Sequence, residues 1–319
     1  MRLFGPPNVE KLKAKGDIKG LIKALHYKKD WIVRKKAANA LGDLGCKEAI
    51  GPLVECLISD EESLVRKAAT AALDNLGWVP TDQGKAAAWF WRYKGDIDKC
   101  AACGVYAIEP LLPLVINGNY EAMEAFATLG QPALEVLIAC ANAIFQQYQS
   151  FTSGIHELNF VLDTDRRVAA TIKEIAKRLG YCAETIGKFG TPLAEAYLVQ
   201  LYKLVKSSIY SHPEGGFPDM FDAVDVREAI VSALRYTDGS AGGLQLLVDV
   251  LENDPAMVVR WEAADVIEKL ADKCIDRVKD KRIENALRKF VTDMQQQDHI
   301  SRRSRLSRYV SLLERIKSQ

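Results

Sequence analysis

A fifteen-residue phrase occurs twice in this chain, thirty-two residues apart: Trp31 to Gly45 (WIVRKKAANALGDLG) and Ser63 to Gly77 (SLVRKAATAALDNLG). With the valine as position zero, Val33 and Val65 are followed by Arg34 and Arg66, Ala37 and Ala69, Leu41 and Leu73, Leu44 and Leu76, and Gly45 and Gly77. Apolar side chains at 0, +4, +8 and +11 make one stripe of an amphipathic helix, and the closing glycine supplies a left-handed residue to end it. One such helix cannot hide its own stripe. A period of this length answers the problem by stacking each unit on the next. The expected fold is all-α, a right-handed α-α superhelix of about six or seven helical pairs.

Each unit reads as helix, turn, helix. Val9 to Lys15 and Ile18 to His26 lead to a turn at Tyr27 to Asp30, and the first phrase follows. In the second unit Asp60 stands at the turn, with Val65 and Arg66 five and six residues later; Asp254, Val259 and Arg260 repeat that spacing. Val226 and Arg227, with Ile230 and Leu234, form another copy, whereas Asp163 and Val168 keep the spacing but Ala169 replaces the arginine. First-helix patterns occur at Ala49 to Leu57, Ala107 to Leu114, Ala133 to Ile144, Leu193 to Leu204 and Leu244 to Leu251. This grammar resembles the HEAT repeat, in the variant named after the phycobilisome lyases. The resemblance implies that Asp60 and Asp254 cap second helices, and that Arg34, Arg66, Arg227 and Arg260 form a structural ladder between neighbouring units.

The array is expected over residues 17–272, preceded by a segment at 1–16 and closed by C-terminal capping helices at 273–319. Two stretches depart from it. Residues 78–104 lack the Val-Arg phrase, and their run of Trp89, Phe90, Trp91 and Tyr93 cannot all face one way on a helix, so at least one ring should lie near the surface. Residues 207–222 concentrate Gly and Pro and read as a long loop.

Composition excludes several classes. Apolar residues are 48% and charged residues 27%, ordinary for a packed protein rather than a disordered one. With no apolar leader and no apolar run of eighteen residues, neither secretion nor a membrane span is expected. Seven cysteines, an odd number placed mostly in helical stripes, suit a reducing cytoplasm. Net charge is +1, but residues 1–45 and 273–319 each carry +7, which leaves −13 for the middle. An acidic body offers no continuous basic track for nucleic acid, and the basic ends read as solvated helix faces.

Motifs for chemistry are sparse. Cys100 and Cys103 form the only CxxC, with no second ligand pair, so packing is expected rather than metal or redox work. His156-Glu157 is the only His-Glu dipeptide, too few for the di-iron centre of deoxyhypusine hydroxylase, a HEAT-repeat enzyme. Bilin lyases are the other enzymes suggested by the repeat variant, and no residue set here marks a tetrapyrrole pocket. The expected role is therefore a non-catalytic scaffold without cofactor, binding another protein on the concave face, which in this family is lined by second helices. At position +2 the copies carry Lys35, Lys67, Glu228 and Trp261, and the tryptophan is either an exposed anchor or a ring folded under the C-terminal cap. Trp89, Trp91 and Tyr93 form a second candidate patch.

Overall fold

The computed structural model describes residues 6–154, 162–210, 221–296 and 303–317. The described chain is all-α, with no strand among those residues, and it divides into two compact units, Met1–Pro113 and Leu114–Gln319. No helix among the described residues is long and apolar enough to cross a membrane.

The first unit holds α1 (Val9–Ala14), α2 (Ile18–Leu25), α3 (Trp31–Asp43), α4 (Ile50–Ser59), α5 (Ser63–Asn75), α6 (Lys85–Lys94), α7 (Ile97–Ala101) and α8 (Ile108–Val115), the unit boundary falling inside α8. Aspartates start the early helices: Asp17 accepts from the Gly20 N–H at 2.8 Å and Asp30 from the Ile32 N–H at 2.8 Å. Gly45 and Gly77 stop α3 and α5 at φ +66° and +70°, the left-handed region that the phrase calls for. Ala37, Leu41, Val65, Ala69 and Leu73 are completely buried and Val33 nearly so.

The +11 leucines differ from the expected stripe. Leu44 and Leu76 are the C-cap residues of α3 and α5, where the backbone turns away from the core, so Leu44 is 37% exposed and Leu76 half-buried. Leu270, by contrast, sits within a longer helix and is buried. Second helices pack closely: a Cβ on Gly42 of α3 would lie 2.7 Å from the Ala72 Cα of α5, so this contact admits only glycine.

The second unit continues with α9 (Tyr120–Ala127), α10 (Gln131–Gly154), α11 (Leu162–Lys188), α12 (Pro192–Tyr210), α13 (Phe221–Ala233), α14 (Ala241–Asn253), α15 (Met257–Lys273), α16 (Ile275–Val278), α17 (Lys281–Gln296) and α18 (Arg303–Lys317). Of the loop expected at 207–222, Ser207 to Tyr210 belong to α12 and Phe221 and Asp222 to α13; the intervening residues lie outside the described set, as does His156-Glu157. The side chains of Asp163, Val168 and Ala169 are likewise outside it.

Helices pair in order, α12 with α13 and α14 with α15, while α12 packs on α14 and α13 on α15. The C-terminal helices repeat this scheme, with α17 on α14, α18 on α15, and α17 against α18. They close the stack by taking the places of one more first and second helix. Helices α17 and α18 thus resume the repeat geometry after the sequence phrase has gone. Across this unit Glu195, 3% exposed on α12, accepts from the Ser240 N–H at 3.0 Å and the Gly243 N–H at 3.1 Å, so a neighbour's carboxylate satisfies the start of α14.

Candidate partner-binding face

The recurring spacing of Arg and Asp has one local geometry in both units. In the first, the Arg34 guanidinium donates to both Asp60 oxygens, at 2.7 and 3.0 Å, and to the Tyr27 carbonyl at 3.1 Å. The Asp60 carboxylate beside it raises the pKa of Arg34, and burial with Asp60 nearby pushes the Cys56 thiol up to about 12. In the second unit Arg227 donates to Asp254 at 2.9 and 3.3 Å, with both side chains essentially inaccessible, and the Tyr202 hydroxyl adds a third hydrogen bond to that carboxylate. Burial and Asp254 hold the Tyr202 hydroxyl well above its ordinary pKa, so it remains a donor. Each aspartate thus reaches the arginine of the preceding second helix.

The aspartates serve the backbone differently from ordinary N-caps. Asp60 accepts from the Glu62 N–H at 2.9 Å, and Asp254 from the Ala256 N–H at 2.8 Å. Glu62 and Ala256 are themselves the N-cap residues of α5 and α15, so the carboxylates tie the interhelical turn one residue before the helix begins.

Arg66 and Arg260 end differently. Arg66 donates to its own turn carbonyl at Asp60, 2.6 Å, and to the Tyr93 hydroxyl at 3.1 Å, and its guanidinium lies 4.2 Å from the Trp89 ring centre. Helix α6 has Lys94 and Gly95 where α4 is followed by Asp60, and the aromatic run receives the cation instead. Arg260 donates to the Leu251 carbonyl at 2.6 Å, pairs with Asp293 of α17 at 3.8 Å, and lies 5.3 Å from the Phe290 ring.

This geometry removes two of the expected anchors from the surface. Trp89 is 4% exposed, stacked on Tyr93 at 5.8 Å, while Trp91 and Tyr93 are half-buried against the same core. Trp261 is 3% exposed, its ring edge-on to Phe290 at 5.2 Å and 5.7 Å from Tyr309. The physical reason is the pair α17 and α18, which covers the +2 register of α15 and makes the ring core for the next layer. Trp261 packs under the C-terminal helices and offers no free face to a partner. The rest of position +2 is mixed: Lys67 is exposed, Lys35 half-buried 6.0 Å from the Trp31 ring, and Glu228 half-buried. Burial, then Glu262 and Asp225 nearby, raise the pKa of Glu228.

Another register stands out. One residue before the phrase valine, Ile32, Leu64 and Val258 are 46%, 45% and 44% exposed. Each stands three residues before position +2, a register exposed at Lys67, half-buried at Lys35 and closed at Trp261 by the C-terminal helices. In the first unit α3 and α5 pack against each other, with Ile32 and Leu64 at the same register of the two helices, and Lys36 and Lys67, four and three residues further along them, are exposed. The sequence signal was available as a third apolar residue at one register, but it adjoins the core stripe and reads as part of it.

Among the described residues no group of three or more His, Cys, Asp or Glu could hold a metal ion. Cys100 and Cys103 are buried, and burial pushes Cys100 up to about 12. In the second unit a groove of about 390 Å³ is lined by Arg235, Glu262, Asp265, Glu268, Asp272 and Arg308, and within it Arg308 pairs with Asp265 at 2.9 Å and with Glu268 at 2.8 Å.

Residues 18–88 match the family model of HEAT repeats. No curated protein matches the chain. Among solved structures, importin beta in an ammonium sulfate condition is 14% identical with a TM-score of 0.34, covering 92% of this chain and 35% of its own. An engineered protein is 18% identical with a TM-score of 0.28, covering 94% of this chain and 97% of its own. The complex of CpcE and CpcF of phycocyanin lyase from Nostoc sp. PCC7120 is 17% identical with a TM-score of 0.21, covering 96% of this chain and 85% of its own. The chain spans about a third of the length of importin beta. At these scores the likenesses bear on neither activity nor partner.

Proposed function

We propose that this chain is a non-catalytic binding scaffold, and that the open side of α3 and α5 in the first unit takes a segment of another protein. The observation that carries the reading is the apolar pair Ile32 and Leu64, nearly half exposed at the same register of two adjacent second helices, with Lys36 and Lys67 beside them. Neighbouring helix axes run about 8–10 Å apart. A partner helix with apolar side chains seven residues apart, about 10 Å along its axis, matches that spacing. Carboxylates flanking its apolar row would meet the lysines. Such a contact draws its energy from the desolvated apolar centre and its orientation from the charges at the rim.

The test is quantitative capture of partners from the native host by wild type, by Ile32→Asp with Leu64→Asp, and by Val79→Asp, which alters an exposed apolar residue away from this register. Expected is one partner bound by wild type and Val79→Asp and lost from the double variant, all three proteins showing the same helical circular dichroism. A partner kept by the double variant overturns the assignment to this face. A purified protein carrying a chromophore or a stoichiometric metal overturns the scaffold reading itself.

A further inference from the structure

The turns that lead into α3 and α5 stand at the same register of the repeat and carry opposite charge. Lys28, Lys29 and Asp30 precede α3; thirty-two residues on, Asp60, Glu61 and Glu62 precede Ser63, the first residue of α5. Asp30 is turned to the Ile32 N–H at 2.8 Å, and Asp60 is held by the Arg34 guanidinium at 2.7 Å. That leaves Lys28 and Lys29 outward on one layer and Glu61 and Glu62 outward on the next, all four exposed and without an ion pair among the described residues. The repeat itself does not ask for this reversal, since Pro255 and Ala256 fill the places of Glu61 and Glu62 before α15.

The charge balance makes the same step. Residues 9–36 hold ten Lys and Arg against three Asp and Glu, or +7, whereas residues 46–75 hold three against six, or −3. Seven of the nine lysines in the first stretch are exposed and unpaired among the described residues. The other two are Lys13, which meets Asp43 at 2.6 Å, and Lys35 against the Trp31 ring. In the second unit, by contrast, α11, α13, α15 and α18 each carry an arginine paired with a carboxylate. The first-layer lysines are charges that no internal contact uses.

Ile32 and Leu64 thus lie between two rims. Further along the helices stand Lys36 and Lys67, basic in both layers; ahead of them stand the turns, basic in the first layer and acidic in the second. We propose, resting on the binding role of this face given above, that the bound segment is a polypeptide helix of matching charge order. Its flank toward Lys36 and Lys67 is acidic; its other flank is acidic over Lys28 and Lys29 and basic over Glu61 and Glu62. Those four turn residues fix the direction in which the segment runs. Layers about 8–10 Å apart correspond to about six or seven residues of helix, so the sign changes within two turns. A polypeptide can make that change. Duplex nucleic acid, with a negative charge about every 1.7 Å, and an anionic lipid leaflet keep one sign and would set phosphates against Glu61 and Glu62. Reversing the bound helix places like charges opposite one another in both layers, so the turns select orientation more than they raise affinity.

A helix lying apolar side down has distinct left and right flanks, and two synthetic peptides of equal composition exploit this. Both carry leucines seven residues apart and glutamates along one flank; the other flank runs from glutamate to lysine in one peptide and from lysine to glutamate in the other. Fluorescence anisotropy with the full chain at low salt is expected to show a preference of about fivefold or more for one of the two, shrinking in about 0.5 M NaCl. Exchanging Lys29→Glu with Glu61→Lys should erase the preference at unchanged net charge, and adding Lys28→Glu with Glu62→Lys should reverse it, with the same helical circular dichroism. Equal affinity for the two peptides, or a preference unaltered by the exchange, overturns the charge order and leaves the apolar face standing. Undiminished binding of both peptides to Ile32→Asp with Leu64→Asp overturns the face itself, and binding of neither peptide to wild type overturns both. Tighter binding of a duplex DNA or of phosphatidylserine vesicles, lost with Lys28→Glu and Lys29→Glu, assigns the lysines to a uniform polyanion and overturns the polypeptide.

Discussion

The buried rung of the second unit is the sharpest place to test how the repeats are joined. Asp254→Asn keeps the shape of the side chain and one of its two acceptor oxygens, enough for the Ala256 N–H or the Tyr202 hydroxyl but not both, and removes the charge opposite Arg227. Both partners are essentially inaccessible, with 1% and 0% of their side chains exposed. An arginine left charged in such a site without its carboxylate costs about 3–5 kcal/mol. For a unit the size of Leu114–Gln319 that is a loss of roughly 6–20 °C in Tm, at about 2–4 °C per kcal/mol. Asp60→Asn is the internal comparison. There the side chains are 14% and 7% exposed, and Arg34 retains the Tyr27 carbonyl, so the expected cost is about 1.5–3 kcal/mol, that of one charge-assisted hydrogen bond. Thermal unfolding followed by calorimetry, which separates the two units if they melt apart, measures both. Adding Arg227→Met to Asp254→Asn removes the stranded charge and should recover most of the loss. A double variant no more stable than Asp254→Asn, or equal losses at Asp60 and Asp254, would refute the reasoning that burial of the charge sets the cost.

Other consequences are quick to check. Gly42→Ala should destabilise by about 1–3 kcal/mol, since its Cβ would meet the Ala72 backbone, whereas Gly51→Ala in α4, with open space around it, should be neutral or stabilise by up to about 1 kcal/mol; denaturant midpoints decide. Glu228 has a folded pKa above its unfolded value, so its ionised form disfavours the folded state at neutral pH and the penalty fades as pH falls through the folded pKa toward the unfolded one. Glu228→Gln should therefore raise Tm at pH 7 and leave it unchanged near pH 4; a gain at both would remove the electrostatic explanation. Trp261→Glu should cost more than about 3 kcal/mol and unfold the C-terminal layer, while Trp261→Phe should be mild, because the ring is core rather than contact surface. Deleting residues 303–317 should expose that ring, shift tryptophan emission to the red and promote aggregation; a monomeric truncation with an unchanged spectrum would show that α18 does not cover α15.

The repeat was legible because its determinants are local. Val65, Ala69 and Leu73 stand one turn apart, and Gly77 can be recognised as a stop from a single residue. The same locality explains the misreadings. Leu44 continues the spacing of the stripe, but the helix ends beneath it and the rule no longer applies. Trp261 occupies a register that is open on Lys67, and it is closed only because two helices without the phrase pack in phase with α14 and α15.

The aromatic run of α6 shows why a degenerate unit can be structurally faithful. The repeat requires an acceptor for the arginine of the preceding second helix, and that requirement is chemical rather than a demand for aspartate. Asp60 meets it for Arg34 with two charged oxygens. For Arg66 the same need is met by the face of Trp89 and the Tyr93 hydroxyl. Once Trp89 and Tyr93 are committed to Arg66, and Trp261 to Phe290 and Tyr309, these large rings serve the joints between layers. Under the scaffold reading proposed above, binding falls to side chains that no joint requires, and among the second helices of the first unit Ile32 and Leu64 meet that condition.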